Sequence, residues 1–465
     1  MMAFPGNGDI RHPLFDVRFS LLFLALCLGI TPVATAGLAG QDGDRRLFEE
    51  RMSSGPTPAE LASYAYAANP AIASARAAWR AAVEQYRVTT GLPDPQVMGT
   101  WYPDPIETRL GPQDWNITVT QMFPFPGTLS KAGEVVRADV RAAQLELDKA
   151  VRDVVAQIRE SASELAYIRG AKKALDQSRD LLDQLRRVAE TAYAGDRATL
   201  TDVAKAQSQS AQLMYDRLLL DELESTEIAR LNVLLDRAPD APVGPVAMER
   251  AQLAFSFAEI SDVAQMNRQE IAIAGAMVEK ARAKAGLAWY QSLPEFRVGL
   301  FYGGIGEPDV AVRPAEAGRD AVGIQMGVSI PLWLGKSAGR IEQAEAEQAK
   351  AEAMRRLQVN DTRAMISAAW FRLQNAGRLV RLYQDQLIPQ AARSMELAET
   401  WYRQGQGSFS DYVETHGVWI NFQLALLRAQ ADHEKYLARL ERLAGRSLTW
   451  RESGDQEPAR PEAAP

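Results

Sequence analysis

Cysteine and histidine are nearly missing from this sequence of 465 residues, whose only examples are Cys27, His12, His416 and His433. So few ligands argue against a disulfide framework or a metal cluster. The net charge of −7 is modest and spread along the chain, which argues against a nucleic-acid-binding protein. Nucleophile–base patterns, phosphate-binding glycine loops and zinc-ligand spacings are missing as well. We therefore predict a protein that is not an enzyme and that carries no cofactor and no metal site.

Long apolar runs are also missing, apart from Leu21–Ile30 near the N-terminus. This run is too short to span a bilayer. It follows two arginines and precedes a small-x-small site that ends at Ala36, so we predict a cleaved signal peptide over residues 1–36. One alternative is a buried N-terminal helix. The other is a lipid anchor on Cys27, although Leu26 is larger than the residue that a lipoprotein box has before its cysteine.

The longest uninterrupted pattern is a helical one over residues 128–192. This stretch has no proline, and its apolar residues recur at steps of three and four or their multiples, as in a coiled coil. The residues of this seam are Val136, Val140, Ala143, Leu147, Val151, Val154, Ile158, Leu165, Ile168, Leu175 and Leu182. At about 1.5 Å per residue the helix would be about 98 Å long. A helix of that length predicts a strut, a fibre or a tube.

The order of elements around this helix occurs twice, which predicts a tandem duplication. A flexible N-terminal segment (37–57) precedes the first repeat, a linker (237–256) separates the repeats, and a disordered tail (449–465) follows them. The first repeat (58–236) has a helix, a β-hairpin (95–124), the long helix (128–192) and a returning helix (199–235). The second repeat (257–448) has a helix, a β-hairpin (294–331), a long helix (335–403) and a returning helix (408–444).

The four strands of the two hairpins alternate between apolar and polar or small residues, as in Val322–Ile330. That alternation suits a transmembrane β-strand with its apolar face toward lipid. Four strands cannot close a barrel, and open strand edges are not tolerated in lipid, so several copies must pool their strands, and three would give twelve. The alternative is a small soluble β-domain that caps a coiled coil. The helices are compatible with a hollow tube and with a solid bundle.

The duplicated chain resembles the TolC-like outer-membrane efflux protein family. Besides the order of elements, the resemblance rests on Leu387-Ile388-Pro389-Gln390-Ala391, on Tyr402 followed by Gly405, and on Asp411-Tyr412-Val413-Glu414. It implies a homotrimer in the outer membrane, with a 12-stranded transmembrane β-barrel continuous with a periplasmic α-barrel of helical hairpins. It also implies two partners, a periplasmic adaptor protein and an inner-membrane efflux transporter. The short extracellular loops resemble the heavy-metal branch, which leaves the substrate open between metal cations and other small toxic compounds.

The resemblance also assigns candidate functional residues at the helical reversals. Asp202, Asp411 and Glu414 match positions at the pore constriction. Asp411 and Glu414 match an acidic ring that would favour cations, and Asp202, at the equivalent place in the first repeat, matches a hydrogen-bond partner that gates the pore. The reversals themselves would dock the adaptor, through Gly195, Asp196, Arg197, Gly405, Gln406, Gly407 and Ser408. Without the resemblance, these carboxylates suit an ordinary solvated helix face, and the glycines suit any chain reversal. The basic residue that holds some relatives closed is replaced by Gly407, so another contact must set the resting pore.

Two functions follow from these patterns. The first is a passive trimeric exit duct of a tripartite efflux system. The second is a soluble periplasmic coiled-coil protein that bridges two membranes as a structural or adaptor protein. An adaptor would have one helical hairpin between β-rich halves, whereas this sequence predicts two equivalent hairpins. The duplication therefore favours the duct.

Overall fold

The computed structural model describes residues 48–194, 199–246, 252–312 and 314–450. Within these ranges the chain is mainly helical with a small antiparallel sheet, so the predicted fold class is confirmed at this level. The elements are α1 (Pro58–Ala68), α2 (Pro70–Thr90), β1 (Gln96–Thr108), β2 (Gly111–Phe123), α3 (Thr128–Ala194), α4 (Leu200–Leu234), β3 (Gln252–Leu253), α5 (Phe257–Asn267), α6 (Gln269–Tyr290), β4 (Glu295–Ile305), β5 (Ala321–Ser329), α7 (Leu334–Leu382), α8 (Ile388–Arg403), α9 (Phe409–Ala444) and β6 (Thr449–Trp450).

The first predicted helix is in fact two helices that meet at Asn69. The Asn69 side chain accepts hydrogen bonds from the backbone N–H groups of Ala71 and Ile72, and thus caps α2. Pro70 occupies the first helical position, where its missing N–H costs nothing, and it disfavours helical geometry at Asn69. The pattern of apolar residues runs on across this junction, which is why periodicity alone predicted one helix.

Helix α3 organises the packing of the other helices. Its N-terminal half lies against α2 and α6, and its C-terminal half lies against α4 and α9. The seam residues Ile158, Leu165 and Leu182 are fully buried, as their spacing predicts. A core centred on the C-terminal half of α3 includes residues of α4 and α9, and a second core joins α5, α7 and the end of α9.

The second long helix is interrupted, which the sequence did not predict. A π-helical segment, Tyr383–Leu387, separates α7 from α8. Pro389 follows two residues after its end, and a proline inside a helix lacks an N–H and clashes with the carbonyl one turn earlier. A local π-helix widens the turn and accommodates that residue without ending the helical path.

The sheet has the order β1-β2-β4-β5, with β1 and β5 at its edges. Strand β1 continues through Pro103 and Pro105, and its register with β2 shifts between Trp101 and Ile106. Prolines are tolerated there because residues 102–105 have no partner in β2, and prolines within sheets occur at such irregularities. One cross-strand row joins Val97, Val119, Leu300 and Ile324, and all four side chains are exposed.

Two segments differ from the predictions. Residues 48–54 are helical, although we expected a flexible segment over 37–57, and the side chain of Met52 is fully buried. Thr449–Trp450 pairs with Gln252–Leu253 as a short ladder, although both lay in a predicted tail or linker. The predicted signal peptide and residues 451–465 lie outside the described residues. No helix in the described ranges has both the length and the apolar character needed to cross a membrane.

Candidate functional site

The described helical reversal joins α8 to α9 through Gly405, Gln406, Gly407 and Ser408. Gly405 has a φ of +74°, a conformation that glycine adopts without strain. The N–H of Gly405 donates to the carbonyl of Tyr402 at 3.1 Å, and the N–H of Gln406 donates to that of Trp401 at 2.9 Å. These two bonds form a Schellman motif, which satisfies the last carbonyls of α8. The matching reversal between α3 and α4 contains Gly195, Asp196 and Arg197, which lie outside the described residues.

The two aspartates predicted at the pore entrance each belong to a capping box. The N–H of Asp202 donates to Thr199 Oγ1 at 3.3 Å, and the N–H of Thr199 donates to Asp202 Oδ2 at 3.0 Å. Asp411 and Ser408 make the same reciprocal pair at 3.1 and 3.4 Å. Each aspartate therefore stabilises the start of its returning helix, where a negative charge also suits the helix dipole.

Glu414 lies one turn beyond Asp411, and the side chains of both residues are exposed. They share one face of α9, since residues three apart are neighbours on a helix. The structure therefore presents two carboxylates of α9 to solvent at the reversal, together with the half-buried Asp202 at the start of α4.

A polar contact links the starts of the two returning helices. Lys205 of α4 donates from Nζ to Ser410 Oγ of α9 at 2.6 Å. Burial raises the pKa of Tyr402, and the charge of Asp202 raises it further, so the end of α8 lies near the start of α4. The structure thus brings Asp202, Tyr402 and Ser410, from both halves of the chain, to the same end of the helical layer.

Position 407 lies close to Trp401, which favours a glycine there. A Cβ atom built at this position would lie 3.0 Å from Trp401 Cβ, closer than ordinary van der Waals contact. The compact turn therefore disfavours any larger residue here. The absence of a basic side chain at this position is consistent with that geometry.

A buried aromatic core supports the reversal from behind. Phe409 and Tyr412 are 1% and 0% exposed, and the rings of Tyr402 and Phe409 are 5.3 Å apart. Further along α9, His416 is fully buried, and its Nε2 lies 3.3 Å from Ser178 Oγ of α3. Its Nδ1 is buried without a hydrogen-bond partner among the described residues.

We expect this core to weaken as the pH falls from about 6.5 to about 4. Burial lowers the pKa of His416 from 6.5 to about 4, so the unfolded chain takes up this proton at a higher pH than the folded chain does. The free energy of unfolding should fall by at most about 3 kcal/mol over this pH range. Unfolding by denaturant at several pH values measures it. His416→Gln should flatten the pH dependence in this window, and His433→Gln should not; an unchanged slope in His416→Gln would rule out this residue as the cause.

The sequence profile of the family described as "Outer membrane efflux protein" matches residues 260–446. No curated protein sequence matches the chain. Among solved structures, the outer membrane protein VceC of Vibrio cholerae has 19% identity and a TM-score of 0.68, with 84% of this chain and 96% of VceC covered.

Two other solved channels have a similar fold. The CmeC outer membrane channel of Campylobacter jejuni has 13% identity and a TM-score of 0.68, with 86% of this chain and 87% of CmeC covered. The MtrE outer membrane channel of Neisseria gonorrhoeae has 15% identity and a TM-score of 0.64, with 84% of this chain and 89% of MtrE covered. By sequence over residues 260–446 and by fold over most of its length, the chain is similar to the outer membrane efflux proteins, and the resemblance seen in its motifs is confirmed.

Proposed function

We propose that the protein is a passive, trimeric outer-membrane channel and the exit duct of a tripartite efflux system. Most of the chain would lie in the periplasm. A periplasmic adaptor would connect it to an inner-membrane transporter, which supplies the energy. The exported substrates would be metal cations or other small toxic compounds. The observation that carries this proposal is that one chain leaves both its sheet and its helical layer with unpaired, apolar edges.

The sheet gives the first part of that argument. Its exposed row of Val97, Val119, Leu300 and Ile324 has exposed fractions of 71%, 41%, 60% and 69%, which would be unfavourable in water but suits contact with lipid. The backbone of edge strands β1 and β5 is unpaired on one side. Lipid does not tolerate such edges. Pairing β5 of one copy with β1 of the next would satisfy both, and three copies would close a 12-stranded barrel.

The helices give the second part. Helix α4 packs on α3 with residues such as Leu213 and Leu220, and its opposite face exposes Tyr215 and Leu218 by 63% and 53%. Helix α8, beyond α9 on the other side of the layer, exposes Leu397 and Trp401 by 53% and 52%. The exposed faces of α4 and α8 differ and lie on opposite edges of the helical layer. Contact between α4 of one copy and α8 of the next would be a head-to-tail interface, the kind of interface that builds rings.

The reversals would form the periplasmic entrance of this ring. Asp202, Asp411 and Glu414 from three copies would give a negative collar that attracts cations. The capping boxes support this role because they anchor Asp202 and Asp411 at the helix starts. The compact turn at Gly405–Ser408 would offer the adaptor a docking surface, and we propose the same docking role for Gly195, Asp196 and Arg197.

The proposed function is tested by the native mass of the mature protein extracted from outer membranes in mild detergent, and by its conductance in planar bilayers. A stable trimer that forms cation-preferring channels would support the duct. A monomer released without detergent would exclude it and would favour the periplasmic coiled-coil alternative.

We expect the contact between Lys205 and Ser410 to hold the entrance closed. Ser410→Ala removes the acceptor, and one such hydrogen bond at an exposed site is worth about a fivefold change in the ratio of open to closed channels. Single-channel recordings should show this increase in open time. Ser208→Ala, an exposed serine of the same helical region, serves as the control. Equal open times in Ser410→Ala and the unchanged protein would show that this contact does not set the resting pore.

A further inference from the structure

The outer edge of α4 carries a carboxylate among apolar side chains. Glu222 is exposed, and it lies about 200° around the helix from the buried Leu220, so it is directed away from α3. Tyr215 and Leu218, two turns and one turn before it, share that direction and are 63% and 53% exposed. Glu222 makes no ion pair with a described residue. This edge therefore presents a free negative charge beside an apolar surface.

The opposite edge of the helical layer, at the end of α7, carries a guanidinium group in a similar setting. Arg378 is exposed, and it lies about 200° around the helix from the buried Ala376, so it is directed away from the core. Phe371, two turns before it, and Leu382, one turn after it, are 68% and 38% exposed. Arg378 makes no ion pair with any carboxylate of the described ranges. This edge therefore presents a free positive charge beside an apolar surface.

Neighbouring charges do not neutralise these two groups. Asp221 and Glu224, close to the free carboxylate in the sequence of α4, both contact Lys172 of α3. On the other edge, Arg381 and Asp385 follow the free guanidinium group by one and two turns, and their charges offset each other. The edge of α4 therefore keeps one negative charge, and the edge of α7 keeps one positive charge.

The level of each group along the layer can be measured on α3, which runs through the middle of the layer. Glu222 is two residues before Glu224, whose Oε1 accepts a hydrogen bond from Nε of Arg169 at 2.6 Å. The negative charge of α4 therefore lies near the level of Arg169.

Arg378 can be placed on the same scale through α9. It follows Gly377, and a Cβ atom built at that glycine would lie 3.6 Å from Cδ2 of His433. Lys435, two residues beyond that histidine, contacts Glu164 of α3 at 3.5 Å. The positive charge of α7 therefore lies near the level of Glu164, which is about 8 Å along α3 from the level of the negative charge of α4.

We propose that Glu222 of one copy pairs with Arg378 of the next, and that this pair selects a second copy of this chain as the neighbour. The inference rests on the proposed ring, in which the two edges meet. A ring whose axis is parallel to α3 keeps every residue at its level, and the long side chains of the pair span the remaining offset. An unpaired charge inside an apolar contact is costly, so the interface disfavours a neighbour without the complementary charge.

Charge reversal tests the pair, because both side chains are exposed in the single chain and their replacement leaves its core intact. Glu222→Arg alone and Arg378→Glu alone should each raise the dissociated fraction of the detergent-extracted protein about tenfold. The two changes in one chain should restore the trimer, since each interface again has one charge of each sign. Glu222→Arg with Arg372→Glu is the control with the same net charge. Arg372 lies about 120° around α7 from Arg378, so this control should stay dissociated.

Coexpression measures the selection itself. A tagged chain with both Glu222→Arg and Arg378→Glu is produced together with the untagged, unchanged chain, and trimers are purified through the tag. In a mixed trimer two cations would meet at one interface and two carboxylates at another, so untagged chains should be about tenfold rarer than beside a tagged, unchanged chain. Free mixing, or a double reversal that stays dissociated, would overturn the proposal and leave the duct standing. An unchanged protein that is monomeric would overturn the duct and this pair together.

Discussion

Replacing Tyr215 and Leu218 together by glutamate is expected to dissociate the proposed trimer, so that the native mass of the detergent-extracted protein falls to that of one chain. Both side chains lie on the face of α4 that points away from α3, and both are more than half exposed in the single chain. Burying each in an interface contributes about 1.5–3 kcal/mol, and a glutamate there would bring an unpaired charge out of water. In the proposed trimer, the change therefore removes attraction and adds repulsion at every interface between copies.

The matched control keeps the apolar character of the same surface. Tyr215→Phe with Leu218→Met should remain trimeric, since volume-conserving apolar exchanges cost little. The fold of the glutamate variant should survive, because Leu213 and Leu220 on the opposite face of α4 still pack in the core. A glutamate variant that stays trimeric would show that this edge of α4 lies outside the interface.

Much of the fold can be predicted from this sequence because long, regular elements leave a strong periodic signal. The seam of α3 predicted the buried Ile158, Leu165 and Leu182, and the alternation in β5 predicted its exposed apolar face. Part of the geometry of the candidate site could also be predicted from the sequence. The spacings Thr199-x-x-Asp202 and Ser408-x-x-Asp411 are capping-box patterns, and they would have shown that these aspartates have a structural role at the helix starts.

The features that the sequence did not predict are of two kinds. Some depend on contacts between residues that are distant in the chain, and others on how the surrounding structure accommodates a proline. A proline inside a helix disturbs it, but the π-helical Tyr383–Leu387 is one of several ways to accommodate Pro389. Prolines inside β1 are tolerated because they lie where its pairing with β2 is interrupted, between Trp101 and Ile106. The cluster of His416 with Ser178 joins residues 238 positions apart, so no local pattern could indicate it.

The ion pairs between α3 and α9 were equally hidden, because they depend on the register of two helices from different halves of the chain. Glu164 pairs with Arg428 at 2.5 Å and Glu160 with Arg439 at 2.6 Å. Arg442 contacts Asp153 of α3 and also Glu270 of α6, the latter at 2.6 Å. The ion pairs of Arg442 therefore connect α9 to both α3 and α6.

Arg442→Met should lower the free energy of unfolding by about 3 kcal/mol, because removing one member of a buried ion pair leaves the other charge uncompensated. Glu270 would keep only Arg268, whose Nε lies 3.1 Å away. Denaturant unfolding of the detergent-solubilised protein measures the loss. The control is Arg282→Met, which breaks an exposed pair with Glu352 and should cost less than about 1 kcal/mol.

The ion pair between Arg442 and Glu270 also predicts how the stability of the protein depends on pH. Burial alone would raise the pKa of Glu270, but hydrogen bonds and charge from Arg442 and Arg268 outweigh it and lower the pKa from 4.5 to about 2. The unfolded chain therefore takes up this proton first as the pH falls. The stability from Glu270 is fully present above about pH 4.5 and is lost toward pH 2, by at most about 3 kcal/mol. Arg442→Met should make the curve flatter in this window, because the pKa of Glu270 then lies closer to its unfolded value. An equally steep curve in the variant would mean that Arg442 does not hold this carboxylate in its charged form.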